Sequence, residues 1–266
     1  MYANANNLNA MMLRRRASAA PDPILALFAS GEQGVYSYPT NAKASDGDFI
    51  NFTDEGGTIP ADADDVVRFI RDLSGNDHHL KQSDISKGFA LRTGGGLWWW
   101  ESDGVDDIMI TDDDFLYVAG SATITVAARG DAQLDKRIIS EATSSNPGPI
   151  YAPVQTDSTI GDEVASFIRG AVGQEGQGLA FDDANRVISV IDSGSQLTYR
   201  VDGLQTGTQS YTRSDQAVTR LALGGLPGPT PSAFFAGRIF GVVAVADEIG
   251  TSTQEAWAAE KAGVTL

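Results

Sequence analysis

The sequence contains no cysteine and only two histidines among its 266 residues, and each of these absences removes a class of site. Without cysteine the chain can form no disulfide, no catalytic thiolate and no zinc site with cysteine ligands, so its stability must come from packing or assembly. A Ser-His-Asp triad would have to use His78 or His79, which are adjacent. Neighbouring histidines in a turn more often serve in hydrogen bonding than in catalysis, and we therefore expect no catalytic residue and no required cofactor.

Long hydrophobic runs are also missing from the chain. No stretch approaches the roughly 20 apolar residues that a membrane span requires, so we expect no membrane insertion. The N-terminal segment contains three consecutive arginines but no apolar run after them. This pattern differs from that of a secretory signal peptide, and none is expected.

Positive charge is scarce. The chain has 19 lysines and arginines against 35 aspartates and glutamates, which gives a net charge of -16. Such a surface repels DNA, RNA and anionic lipid, because all three carry negative charge. We therefore expect no nucleic-acid partner, although acidity can also serve solubility alone.

What the chain does have is the composition of a protein with many strands. Hydrophobic residues make up 42% of it, and 29 glycines and 10 prolines occur without any long helical pattern. Residues 199–203, Tyr-Arg-Val-Asp-Gly, predict one arm of a hairpin, because Asp and Gly tolerate the positive φ of tight hairpin turns. Residues 236–245 form a long apolar segment that predicts a strand in the middle of a sheet. Residues 252–261 combine Ser and Thr with a following Glu, which predicts a capped helix that closes the chain.

Two longer motifs in the first half resemble those of a known fold family. Residues 72–82 read Asp-x-Ser-Gly-Asn-x-x-x-x-x-Gln, a turn in which Gly and Asn accept left-handed backbone and Asp72 can accept backbone N–H bonds. Residues 98–107 place an aromatic strand before Asp-Gly-x-Asp-Asp. With the order of the later strands, both motifs resemble laminin-G and concanavalin A-like lectin domains. The resemblance implies an all-β antiparallel sandwich, or jelly roll, over residues 24–266, with an extended N-terminal arm at residues 1–23 and a short C-terminal helix.

A third motif, at residues 31–35, suggests a setting for this fold. The sequence Gly-Glu-Gln-Gly-Val, followed by an aromatic residue and a proline, resembles a phrase near the start of tailed-phage structural proteins that carry a lectin-like domain. The usual phrase has an acidic residue before its proline, whereas this chain has Tyr38. The resemblance implies a non-enzymatic virion protein, exposed as a capsid decoration or as a fibre or tail accessory. Its partners would be other virion proteins and further copies of itself as a homo-oligomer, and it would be assembled in the host cytoplasm.

The N-terminal arm, residues 1–23, differs in charge from the rest of the chain. It carries three arginines and one acid, whereas the remainder is strongly acidic. A basic arm on an acidic body is suited to docking on an acidic neighbour, and a floppy tail is the alternative for any terminus. The predicted docking residues are the apolar side of a short helix and the arginine triplet: Leu8, Met11, Met12, Arg14, Arg15 and Arg16.

Two further functions remain open. Lectin-like sandwiches often bind glycans at rim loops, and aromatic faces stack on sugars, so Trp99, Tyr151 and Tyr211 are the predicted glycan-binding residues. In a strand Trp98 and Trp100 share one face and Trp99 takes the other, and one of these faces should be core.

A polysaccharide hydrolase is less favoured. The glucanases that resemble this fold use Glu-x-Asp-x-x-Glu, which the chain lacks, and its adjacent acidic pairs would point to opposite faces of a strand.

Calcium binding is also compatible with the sequence. Rim loops of lectin-like sandwiches often hold this ion through Asp, Asn and backbone carbonyl oxygens, which are the hard ligands that it prefers. The candidate ligands are Asp72 and Asn76 in one loop and Asp103, Asp106 and Asp107 in another. Neither loop has the full ligand spacing of a recognised calcium motif, and acidic turn residues without a metal are the alternative interpretation.

Overall fold

A computed structural model describes residues 22–111, 113–130, 135–143, 150–157, 163–168, 172–180, 183–213 and 217–266. The predicted docking residues all lie outside these ranges: Leu8, Met11, Met12, Arg14, Arg15 and Arg16. Docking of the arm on a neighbour therefore stays a prediction.

The described residues form two antiparallel β-sheets and two α-helices. In chain order the strands are β1 (Gly34–Ser37), β2 (Asn51–Phe52), β3 (Val66–Val67), β4 (Phe69–Ile70), β5 (Leu80–Lys81), β6 (Phe89–Gly94), β7 (Leu97–Asp103), β8 (Met109–Thr111), β9 (Ala122–Gly130), β10 (Lys136–Ala142), β11 (Ile150–Asp157), β12 (Glu163–Ile168), β13 (Val172–Ala180), β14 (Arg186–Asp192), β15 (Gln196–Val201), β16 (Leu204–Ser210), β17 (Arg220–Leu223) and β18 (Ala236–Val245). The α-helices are α1 (Leu116–Ala119) and α2 (Thr251–Ala262), and short 3-10 helices cover Leu25–Phe28 and Ile85–Lys87. The prediction of an all-β sandwich with a short C-terminal helix is confirmed.

Each sheet contains nine of these strands. The first sheet has the order β16-β15-β14-β9-β18-β7-β6-β3, with β1 also paired to β18. The second has the order β13-β12-β11-β10-β17-β8-β5-β4-β2. One apolar cluster joins their inner faces and includes Trp100 and Val242 from the first sheet and Met109 and Leu221 from the second. The core of the protein therefore lies between the sheets.

The last strands form as their turn chemistry predicts. β15 and β16 are joined by Asp202 and Gly203, whose φ angles of 49° and 78° are those of a tight hairpin turn with left-handed backbone. β18 lies between β9 and β7, and its last seven residues are buried. Both the hairpin and the central strand are confirmed.

Helix α2 covers the outer face of the first sheet. Trp257 packs edge-on against Tyr36 of β1, with ring centroids 5.2 Å apart. It also lies against Gly241 of β18, where an added Cβ would come within 2.5 Å of the indole. With Phe240 and Val243 these side chains form a second apolar cluster outside the sandwich core. This surface, the outer face of the first sheet with α2 on it, is called the sealed face below, and a pocket of about 610 Å³ opens on it beside α2, against Tyr36, Tyr38 and Trp257.

The start of α2 corrects one detail of the sequence analysis. A Ser or Thr cap was expected, but Gly250, with a φ of 69°, precedes the helix and no side chain caps it. A Cβ at Gly250 would lie 2.4 Å from Leu27. Close packing against the N-terminal 3-10 helix, rather than capping chemistry, therefore decides where α2 begins. Within the described ranges, neither helix is long and apolar enough to cross a membrane.

Helix α1 is a single turn held by a buried carboxylate. Glu141 of β10 is 0% exposed and accepts the backbone N–H groups of Phe115, Leu116 and Tyr117 at 2.8 to 2.9 Å. These are N–H groups that the start of a helix leaves without partners. The turn ends at Gly120, whose φ is 93°. Glu141 thereby fixes the segment that follows β8.

The three tryptophans of β7 divide between the two faces of the first sheet, as alternation requires. Trp100 is fully buried in the sandwich core, and Trp98 packs against that core. Trp99 packs against the second apolar cluster on the sealed face. The prediction that one face is core is confirmed.

Candidate functional site

An open groove lies on the outer face of the second sheet. Pairing places Lys81 of β5 beside Phe69 of β4 and Ile110 of β8, so these side chains lie next to one another on one face. Their chain neighbours Leu80 and Met109 point into the sandwich core. The groove has a volume of about 340 Å³. The residues that line it define the polar groove: Glu55, Asp77, His79, Lys81, Gln82, Ser83, Ile110, Thr111, Asp113 and Arg220.

Asp113 is a firmly oriented carboxylate of the polar groove. Its Oδ2 accepts hydrogen bonds from Thr111 Oγ1 at 2.8 Å and from His78 Nδ1 at 3.0 Å, while half of its side chain is exposed. Burial raises the pKa of this carboxyl, but the hydrogen bonds from His78 and Thr111 bring the pKa below its ordinary value. Asp113 is therefore an ionised acceptor with a fixed direction.

Hydrogen-bond donors stand beside this acceptor. Lys81 is exposed, and its Nζ lies 5.7 Å from the centre of the Phe69 ring. His79 Nδ1 accepts the backbone N–H of Asp72 at 3.1 Å, so its ring proton sits on Nε2. Burial lowers the pKa of His79, which favours the neutral ring. The groove thus combines anions, cations and a neutral N–H donor.

The turn at residues 72–79 builds one wall of the groove. Asp72 accepts the backbone N–H groups of Tyr36, Ser74 and His78 at 2.9 to 3.1 Å. This confirms the prediction that Asp72 accepts backbone N–H bonds across the turn. The carboxylate ties the turn to β1 and so places both histidines.

The structure uses Asp72 and Asn76 to build this turn rather than to ligate a metal. Asp72 is 5% exposed, and both of its oxygens accept hydrogen bonds. Asn76 directs Nδ2 to the carbonyl oxygens of Glu32 and Gly34, and its Oδ1 accepts from Gln33. The prediction of calcium ligation by these two residues is corrected, because neither has a free oxygen to offer.

The acidic loop at the end of β7 does bring three predicted ligands together. One oxygen from each of Asp103, Asp106 and Asp107 lies within 4.8 Å of the others. Burial raises the pKa of Asp107 to about 6. Asp107 Oδ2 already accepts the Asp103 N–H at 2.9 Å, and Asp103 Oδ1 accepts the Val105 N–H at 2.8 Å. Three carboxylates supply only part of the roughly six to eight oxygens that calcium takes, so calcium at this loop stays a prediction.

Tyr151 and Tyr211 are core residues rather than sugar-stacking residues. Tyr151 is 0% exposed and Tyr211 is 8% exposed. Their hydroxyl groups donate to the two carboxylate oxygens of Asp192, at 3.0 and 2.7 Å. Tyr151 belongs to the second sheet and Asp192 to the first, so this carboxylate ties the sheets together. The glycan-binding prediction for both tyrosines is corrected, because neither ring has a free face.

Trp99 lies on the sealed face, away from the polar groove. The guanidinium of Arg238 lies 4.5 Å from the centre of the indole ring, and the Phe240 ring lies at 6.3 Å. A sugar could stack on that side only by displacing Arg238. The three predicted aromatic residues are thus not brought together in one site.

Sequence reasoning missed Lys81, Asp113 and Arg220 as groove residues. Each belongs to a different segment, and the segments meet only because β5, β8 and β17 are neighbours in the second sheet. The alternation of apolar and polar positions in β5 and β17 is a usable signal for side chains that leave the core. The order of strands across the sheet decides which of them meet, and the linear sequence does not display it.

No protein-family model and no curated protein matches the chain. Solved structures do match its fold. Trypanosoma rangeli sialidase in complex with sialic acid matches with a TM-score of 0.54 and 10% identity, over 89% of this chain and 34% of that chain. Domain 4 of AbnA, a GH43 extracellular arabinanase from Geobacillus stearothermophilus, in complex with arabinotriose, matches with a TM-score of 0.51 and 11% identity, over 70% of this chain and 91% of that chain.

At these identities the likeness shows the fold alone. The chain spans about a third of the length of the sialidase chains that it matches. The matches and the two packed sheets together define an antiparallel β-sandwich.

Proposed function

We propose that the chain is a non-enzymatic carbohydrate-binding module whose ligand lies in the polar groove. The observation that carries this proposal is Asp113, an ionised carboxylate held by Thr111 and His78 at an open groove. Sugar hydroxyl groups donate as well as accept hydrogen bonds. An acceptor that is already oriented binds them without a further loss of side-chain freedom.

The remaining groove residues suit a chain of hydroxyl groups. Lys81 and Arg220 supply positively charged donors, and Glu55 and Asp77 supply acceptors. Ile110 adds an apolar surface between them, against which the apolar face of a sugar ring can lie. The mixture favours a polar, uncharged or weakly charged ligand over a strongly anionic one.

The ionised state of the Asp113 carboxyl group favours ligand binding over hydrolysis as the function of the groove. A glycosidase needs a carboxylic acid whose pKa is raised, so that it can protonate the leaving oxygen. Burial raises the pKa of Asp113, yet its hydrogen bonds bring the pKa below the ordinary value. This carboxylate is therefore suited to accepting hydrogen bonds and poorly suited to general acid catalysis.

The likeness of fold agrees with this proposal, since domain 4 of AbnA is a structure in complex with arabinotriose. The agreement is one of architecture only, because the two chains are 11% identical.

Calorimetry of the full chain with arabinotriose, a sialylated trisaccharide and a uronic-acid trisaccharide tests the proposal. We expect at least one of them to bind and Asp113→Ala to weaken that binding at least about tenfold, the loss of one charge-assisted hydrogen bond. Asp62→Ala is the matched control, because Asp62 is an exposed aspartate outside the groove. Absence of binding by all three sugars, or equal affinity in Asp113→Ala and Asp62→Ala, contradicts the proposal.

We also propose a tailed-phage virion as the setting of this module, with the N-terminal arm as its point of attachment. Support comes from the phrase at residues 31–35 and from the arginine triplet. Gly34 has a separate structural reason to be glycine, since a Cβ there would lie 2.2 Å from the carbonyl oxygen of Ala244. Deletion of residues 1–23 should abolish incorporation into particles while the sandwich remains folded. Normal incorporation of the deletion variant, measured by mass spectrometry of purified particles, would remove the docking proposal.

A further inference from the structure

A chain of side-chain hydrogen bonds runs from the start of β1 to the polar groove, and its direction can be derived from one end. Asn76 Nδ2 lies 3.0 and 3.2 Å from the carbonyl oxygens of Glu32 and Gly34. Backbone carbonyl oxygens only accept hydrogen bonds. The amide nitrogen of Asn76 must therefore face them, and its Oδ1 must face the other way.

Gln33 takes its orientation from Asn76. Gln33 Nε2 donates to Asn76 Oδ1 at 3.4 Å. This leaves Gln33 Oε1 at 3.1 Å from His78 Nε2. Because an amide oxygen only accepts, the hydrogen bond requires a proton on His78 Nε2.

The other ring nitrogen of His78 also faces an acceptor. His78 Nδ1 lies 3.0 Å from Asp113 Oδ2, so this hydrogen bond requires a proton on Nδ1 as well. The imidazole ring is stacked on Phe115, with centroids 4.3 Å apart and planes inclined by 17°. Stacking holds the ring between its two acceptors, and only the imidazolium form satisfies both.

We propose that His78 is the positioning residue of the polar groove: as an imidazolium it holds Asp113 in the direction that binds ligand, and loss of one ring proton weakens ligand binding. His78 is not one of the residues that line the groove, so it acts through Asp113. The inference deepens the proposed function and rests on it for the ligand, while the protonation of His78 is derived from the hydrogen bonds alone.

The charged groups around His78 agree with a positive ring. Asp113 faces Nδ1, and Asp72 accepts the backbone N–H of His78 at 3.1 Å. Asp77 precedes His78 in the chain, and Lys81 acts on Asp113 from β5. Three carboxylates and one ammonium group therefore surround the ring that the hydrogen bonds require to be positive.

The neighbouring His79 serves as a comparison within the same chain, because its hydrogen bond requires one ring nitrogen without a proton. Its Nδ1 accepts the backbone N–H of Asp72 at 3.1 Å, so a proton on that nitrogen would break the bond. Burial lowers the pKa of His79. The hydrogen bonds therefore require different protonation of the two adjacent rings, with two ring protons on His78 and one on His79.

Nitrogen-15 NMR of the full chain, labelled at histidine, tests the protonation between about pH 5 and about pH 8. The variant His78→Gln leaves one histidine and thereby assigns both rings. We expect the ring-nitrogen signals to show two ring protons on His78 while His79 carries one, on Nε2. A single ring proton on His78 wherever His79 carries a single one overturns the proposal.

A second variant, Gln33→Met, guards against misfolding of the first. It removes the acceptor at His78 Nε2 together with the 3.4 Å hydrogen bond to Asn76 Oδ1, and it leaves the residues that line the groove unchanged. The pH at which His78 loses its proton should fall. An unchanged titration of His78 in Gln33→Met shows that the hydrogen-bond chain does not control the ring, and contradicts the proposal.

Calorimetry with the same three oligosaccharides tests the role in binding. In the wild-type chain, affinity should fall about threefold to tenfold as His78 loses its second proton. His78→Gln keeps a neutral N–H donor towards Asp113, so above the pH at which the groove residue His79 is neutral its affinity should no longer follow pH. Retention of the wild-type pH dependence by His78→Gln in that range overturns the positioning role. Absence of binding at every pH instead removes the proposed function, and the NMR comparison still decides the protonation of His78.

Discussion

The two outer faces of the sandwich differ although both sheets have nine strands. On the sealed face α2 and aromatic side chains pack on one another and leave a pocket of about 610 Å³ beside Tyr36, Tyr38 and Trp257, whereas the outer face of the second sheet carries a solvent-open groove of charged side chains. Large apolar groups are held by exclusion of water, and the charged groups of the groove are held by directed hydrogen bonds. The difference predicts that changes in the packing of the sealed face alter stability and leave oligosaccharide affinity at the proposed groove unaltered.

The largest expected effect is on the sealed face. Trp257→Ala removes a side chain that is 6% exposed and packs against Tyr36 and Gly241. We expect the free energy of unfolding to fall by about 3–5 kcal/mol, as for other buried aromatic residues. Urea unfolding of this variant and of the exposed-site control Val118→Ala measures it, since Val118 is 58% exposed. A similar small loss in both variants would show that α2 does not stabilise the sheet. Oligosaccharide affinity of the folded fraction should not change.

A smaller effect concerns Glu141, the buried charge of the second sheet. Burial raises the pKa of Glu141 from its ordinary value of 4.5 to about 7, against the three N–H bonds that lower it. A folded-state pKa above the unfolded one stabilises the protein fully below about pH 4.5, and this contribution is lost as pH rises through about 7. Between pH 5 and pH 8 the wild type should therefore lose on the order of 2 kcal/mol more stability than Glu141→Gln. Parallel urea-unfolding curves at the two pH values would contradict this assignment.

A still smaller effect tests the corrected role of Tyr151. Tyr151→Phe removes the hydroxyl that donates to Asp192 and keeps the ring. The loss should be about 1 kcal/mol in thermal or urea unfolding, with oligosaccharide affinity unchanged. Tyr38→Phe is the matched control, because no hydrogen bond of the Tyr38 hydroxyl is found among the residues that the structure describes. Loss of oligosaccharide binding in Tyr151→Phe would restore it as a candidate ligand contact.

The smallest expected effect tests Trp99. Arg238→Ala uncovers the indole ring by removing the guanidinium that lies 4.5 Å from its centre. It should cost about 0.5–1 kcal/mol of stability and increase quenching of tryptophan fluorescence by acrylamide. Oligosaccharide affinity should stay the same. New or stronger binding in Arg238→Ala would show that the sealed face also holds a recognition site.

Local chemistry explains why much of the fold could be predicted. The hairpin needs only Asp202 and Gly203 to adopt positive φ, and the centre of the first sheet needs only the apolar run of β18. Asp72 anchors its turn through backbone N–H groups within and beside the turn. Signals of this kind lie within a few residues of one another, so the sequence displays them directly.

The candidate site could not be predicted in the same way. Lys81 and Ile110 meet through the pairing of β5 with β8, and Asp113 is oriented by His78, which precedes it by 35 positions. The burial of Tyr151 also depends on its partner Asp192, in the opposite sheet. Aromatic residue type alone therefore could not distinguish a core tyrosine from a sugar-binding one, and the residues of the groove were visible only once the strand order was known.

The anchoring of β1 places Asp22 and helix α2 on the outer face of the first sheet. Tyr36 donates its hydroxyl hydrogen bond to Asp22 at 2.7 Å and packs against Trp257 of α2, so the first described residue and the last helix are held on the same side of the sandwich. The polar groove opens on the opposite side. Asp22 therefore lies on the face opposite the proposed binding groove, and we expect an attachment made through this side of the domain to leave the groove uncovered.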